Sequence, residues 1–64
     1  MAIATADLCA ALHREEWRSS RRVALLLPTP RGVGNVWREL CKLERRGVVE
    51  RRGAYPMWRL ARVE

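Results

Sequence analysis

The sequence predicts an α+β domain, three helices followed by a C-terminal β-hairpin. Three observations predict it. Val36, Leu40 and Leu43 recur at helical spacing with cations on the side behind them. Gly47 ends that periodicity and opens the short apolar segment Val48-Val49. A turn containing Gly53 and Pro56 then leads into the alternating segment Met57-Trp58-Arg59-Leu60.

The elements follow in order. Residues 5–17 form the first helix: Thr5 caps it, Asp7 puts negative charge in its first turn, and Leu8, Ala11 and Leu12 share one face with Ile3. Arg14, Glu15 and Glu16 lie off that face, and Trp17 closes the helix over one end of the core. Arg18-Ser19-Ser20 is a break in which either serine can cap the second helix, residues 21–27. That helix is apolar at Val23, Ala24, Leu26 and Leu27, and Pro28 and Pro30 end it because neither ring has an N–H to donate. Residues 28–34 make the turn between helices.

The third helix starts between Val33 and Asn35 and runs to Arg46. At about 100° per residue, Val36, Leu40 and Leu43 make a narrow stripe, while Arg38, Lys42 and Arg45 fall opposite, within about 60° of one another. Trp37 and Cys41 sit on the flank. Glu39 and Glu44 are off the core, with Glu39 placed to pair with Lys42. Residues 48–51 form one strand, residues 52–56 the loop, and residues 57–63 the returning strand. There Trp58 and Leu60 face the helices and Arg59 faces away.

Sixty-four residues make one domain, residues 1–64, with a small core. Apolar content of 48% is enough to fold it. The apolar run at residues 23–27 is far below the ~18 residues of a membrane span, and the N-terminus has no basic stretch of the kind that begins a signal peptide. An intracellular protein, in cytoplasm, nucleoid or nucleus, is expected. Cys9 and Cys41 stand apart from any CxxC or Cys/His cluster, so reduced thiols and no metal site are expected.

The sequence lacks GxSxG, HExxH and a phosphate-binding glycine loop. Gly32-Val33-Gly34 follows no strand and reads as a flexible helix entry, and His13 reads as a surface histidine. No enzyme activity, cofactor or small-molecule substrate is expected.

Charge is the stronger signal. Twelve Arg and one Lys give a net charge of +6 and a pI near 11.0, which points to a polyanion. Guanidinium suits that role because its planar fork binds phosphate or the guanine edge bidentately. The candidate contacts are Arg38, Lys42 and Arg45 on the third helix, Arg31 at its entry, and Arg51 and Arg52 in the hairpin. Asn35 either reaches an adenine or caps the helix. Trp37 either packs against the hairpin or stacks on a base or sugar. Tyr55 and Pro56 sit at the hairpin tip, within reach of a phosphate or the minor groove.

With these residues in view, Leu40-x-x-Leu43-x-x-x-Gly47-Val48-Val49-Glu50-Arg51 and the aromatic strand after it resemble the winged helix-turn-helix superfamily. They are similar to its LexA, MarR and ArsR type DNA-binding domains. The resemblance implies a three-helix winged helix-turn-helix with a C-terminal β-hairpin wing, bound to double-stranded DNA as a small transcriptional regulator. Homodimers or tandem copies would extend its short site. The segment from Gly53 to Ala61 also resembles the wing of Zα domains, which bind left-handed Z-DNA and Z-RNA. In that family a proline and, two residues on, a tryptophan help receive the backbone, and Pro56 and Trp58 match. Its helix also carries an asparagine and a tyrosine four apart; counted back from Gly47 these fall at Trp37 and Cys41, which do not match. A protein-interaction or inhibitor module is the remaining alternative, since small winged-helix proteins also bind enzymes.

Overall fold

The computed structural model describes residues 3–29 and 31–61. Its elements are α1 (Thr5–Ala10), β1 (Arg18–Ser19), α2 (Ser20–Leu26), α3 (Val33–Arg45), β2 (Val49–Arg52) and β3 (Met57–Leu60). The helices cover one face of an antiparallel sheet with strand order β1-β3-β2. The expected α+β class holds, with one strand more than the hairpin alone. Expectations about Pro30, Arg62 and Val63 lie outside the described residues.

α1 is shorter than expected. Ala4, not Thr5, is its N-cap, and no side chain caps it. It stops at Ala10; beyond it the carbonyl of Ala11 accepts from Arg18 Nη1 at 2.8 Å and the carbonyl of His13 accepts from the Leu60 amide at 2.9 Å. These partners from β1 and β3 satisfy carbonyls that the helix end leaves free. The imidazole Nδ1 of His13 also accepts from the amides of Glu15 and Glu16, at 3.0 and 3.1 Å, which holds the chain in a bend. Released from the helix, Arg18–Ser19 extends and pairs with β3, Arg18 opposite Trp58 and Ser19 opposite Met57. Ile3, Leu8, Ala11 and Leu12 are buried as expected.

α2 starts at Ser20 with Ser19 as N-cap, its Oγ accepting from the Arg22 amide at 3.0 Å. It ends at Leu26 because Pro28 disfavours helical geometry at the residue before it, and Leu27 is extended. Val23, Ala24 and Leu27 are buried, whereas Leu26, expected in the core, is on the surface.

α3 buries Val36, Leu40 and Leu43 as its spacing requires. Gly47 ends it at φ +78°. The Gly47 amide donates to Glu44 at 3.0 Å and the Val48 amide to Leu43 at 2.9 Å, which closes a Schellman motif. A Cβ at Gly47 would meet no atom within 4 Å, so only backbone conformation opposes a side chain there. Gly47→Ala is expected to cost about 1 kcal/mol, read as a lower midpoint in urea with an unchanged m-value.

β2 and β3 pair with Val49 opposite Leu60 and Arg51 opposite Trp58. Alternation then puts Val49, Trp58 and Leu60 on the helix side and Glu50, Arg52, Met57 and Arg59 on the outer side. Gly53, at φ +92°, makes the turn. Trp58 is fully buried at the centre, and its indole N–H donates to Ser20 Oγ at 2.8 Å, joining β3 to the start of α2. Trp17 does not close the core. It is half-buried, with the guanidiniums of Arg59 and Arg52 at 4.3 and 5.4 Å from its ring centre, and both of those arginines stand on the outer side of the sheet.

Candidate nucleic-acid interface

The buried stripe sets how α3 is rotated, and the rotation decides which side chains meet water. Arg38, Lys42 and Arg45 are all exposed on the side away from the core. Lys42 and Arg45 also lie in the last turn, where the helix dipole favours positive charge, so they stabilise the helix as well. Asn35 is exposed in the first turn of the same sector. It does not cap the helix: the N-cap is Gly32, and no side chain fills that role. The amides of the first turn are thus left without a side-chain acceptor.

The flank of α3 meets the hairpin. Trp37 stands edge-on to buried Trp58, ring centres 5.9 Å apart and planes at 85°, and stays 39% exposed. Packing is therefore observed for Trp37, with part of its ring left open to a ligand. Further along, Glu44 Oε2 and Arg51 Nε form an ion pair at 3.3 Å. At the tip, Tyr55 is 92% exposed and Pro56 half-buried.

Four candidates stand differently from expectation. Trp58 is fully buried, so it braces Trp37 from below and offers no surface to a ligand. Arg51 and Arg52 do not act together, because adjacent strand residues point to opposite faces. Arg51 leans toward α3 and Glu44, while Arg52 lies over Trp17 on the outer side. Arg31 is half-buried and lines a pocket with Ile3, Asp7 and Leu27, so it is less open at the entry to α3 than expected.

The charge is concentrated in this half of the chain, although not on one face. Residues 31–61 carry eight cations and three carboxylates. Each carboxylate has a partner: Glu39 with Lys42 at 3.5 Å, Glu44 with Arg51 at 3.3 Å, Glu50 with Arg59 at 2.7 Å. Arg31, Arg38, Arg45, Arg46 and Arg52 are left without an ion pair among the described residues. Exposed pairs are worth only about 0–1 kcal/mol, so Lys42 and Arg51 can exchange their carboxylates for phosphate at little cost.

Sequence reasoning missed Arg46, exposed at the C-cap beside Arg45, although the helical projection places it next to Glu39 at the edge of the basic sector. It also missed the stack of Arg52 and Arg59 on Trp17. Only the pairing of β1 with β3 could have shown that, and a two-residue strand carries no periodicity. Cys9 and Cys41 are free and half-buried. Among the described residues no helix is long and apolar enough to cross a membrane. No protein-family model matches the chain, and no curated protein or solved structure was found to be similar to it.

Proposed function

We propose that the chain is a non-enzymatic winged helix-turn-helix module that binds double-stranded nucleic acid through α3 and the hairpin, and acts as a small transcriptional regulator. The element order and a third strand added beside the hairpin support that fold. One observation carries the function. Arg38, Lys42 and Arg45 are held in water by the burial of Val36, Leu40 and Leu43, and the hairpin with exposed Tyr55 packs against the same helix.

α3 has thirteen residues, which makes it about 20 Å long, and the major groove of B-DNA is about 12 Å wide. In this reading Arg38, Lys42 and Arg45 meet base edges or phosphates, and Asn35 reaches an adenine or a phosphate. The uncapped first turn of α3 receives a backbone phosphate, with Arg31 behind it. Arg51, Tyr55 and Pro56 hold the neighbouring strand, and the exposed part of Trp37 lies against sugar or base.

Salt dependence tests it. Neutralising phosphates releases counterions, so the log–log salt slope is expected near −0.9 per contact, or about −4 to −5 for five contacts. Fluorescence anisotropy on a labelled duplex between about 50 and 200 mM salt measures this, and an affinity that hardly changes would rule the reading out. A second reading, a Zα-type domain on a left-handed duplex, keeps Pro56 at the hairpin tip but loses the direct contact of Trp58, which is fully buried. Circular dichroism of a CG-repeat duplex separates the two: an inverted spectrum on adding protein selects the left-handed form, and binding without inversion selects the right-handed one.

A further inference from the structure

The outward side of α2 is composed differently from that of α3. Val23, Ala24 and Leu27 point inward and Ser20 is held by Trp58, which leaves Arg21, Arg22, Leu25 and Leu26 outside. Leu25 is 72% exposed and Leu26 42%. Residues four apart are neighbours on a helix, so Arg21 stands beside Leu25 and Arg22 beside Leu26. Neither arginine has an ion pair among the described residues. A polar side chain at Leu25 would leave the core unchanged, so packing within the chain does not explain it.

We infer that this face of α2 docks a short amphipathic segment of another protein, whose apolar side chains cover Leu25 and Leu26 while its carboxylates pair with Arg21 and Arg22. Charge and size select that occupant. Nucleic acid offers phosphate to the arginines and nothing to the leucines. A second copy placed about a twofold axis would gather four arginines into one contact, with no carboxylate on α2 to pair them. The seven-residue helix is about 10 Å long, small beside the ~800 Å² per partner of a standard stable interface. A short acidic, leucine-bearing helix meets both requirements, in the way amphipathic helices engage apolar grooves. Because α2 turns its buried side toward α3, the docking face is separate from the basic face of α3, and this inference does not rest on nucleic-acid binding.

The test is a titration of the full chain, labelled with 15N, with a synthetic helix bearing Leu on one face and Glu flanking it. A counterpart with Lys for every Glu is run beside it. Shifts concentrated in residues 20–27 are expected with the Glu peptide, with binding at least tenfold weaker for the Lys peptide. The same loss is expected for the Leu25→Ser and Arg22→Glu variants. Leu25 is exposed, so its variant should fold, and an unchanged thermal melt verifies this. Shifts concentrated on α3, binding that Leu25→Ser leaves intact, or no binding at all would each overturn the proposal. So would a concentration-dependent dimer that Leu25→Ser abolishes in sedimentation, which would assign the face to a second copy.

Discussion

Trp58→Ala is expected to leave the chain largely unfolded. Trp58 is the largest fully buried side chain, and α2, α3 and β2 all meet it: Ser20 through a hydrogen bond, Trp37 edge-on, and Arg51 with its guanidinium 6.0 Å from the ring centre. Removing a buried aromatic of this size costs about 3–5 kcal/mol. At about 0.05–0.15 kcal/mol per residue, a domain of this length has roughly 3–10 kcal/mol in total. The loss therefore takes a large share of the stability, and a melting temperature lower by about 15 °C or more is expected. Ser20→Ala is the milder companion. It leaves the indole N–H buried and unpaired, at about 1–3 kcal/mol. Thermal unfolding followed by circular dichroism checks both, and a Trp58→Ala melt within a few degrees of the parent would show that the core is centred elsewhere.

Arg38→Glu combined with Arg45→Glu is expected to lower duplex affinity on the order of 100-fold at about 50 mM salt, because two attractions to phosphate become repulsions. Stability should change little. Both side chains are exposed without an ion pair among the described residues, and reversing charge in the last turn of a helix costs only about 0.3–1 kcal/mol. Arg52→Glu is the internal comparison. Its guanidinium lies over Trp17 on the outer side of the sheet, so a smaller loss is expected. Anisotropy titrations beside thermal melts read both quantities. Affinity equal to the parent in the double variant, with the fold intact, would remove α3 from the interface.

How far the sequence could be read depended on how local each signal was. The alternation of Val36, Leu40 and Leu43 with Arg38, Lys42 and Arg45 lies within one helix, and burial follows it residue by residue. The sequence leaves Asn35 open between cap and ligand contact, and the position of the α3 N-cap at Gly32 decides against the cap. Leu26 belongs to the helix as expected, but on the helical projection it falls about 110° from the centre of the arc made by Val23, Ala24 and Leu27, and so faces outward. Arg51 and Arg52 looked alike in the sequence, and only the register against Met57 and Trp58 separates them.

By itself, then, the sequence determined the rotation of α3, the serine start of α2, the glycine end of α3 and the hairpin turn at Gly53. Those follow from spacing and backbone preference within a few residues. The tertiary structure decided where α1 stops, that Arg18–Ser19 becomes a strand, where Trp17 goes and which hairpin arginine leans toward α3. The deciding partners lie in the hairpin, with β3 some 40 residues further along the chain from β1, and the edge of β3 offers hydrogen bonds that no pattern local to residues 11–19 can reveal.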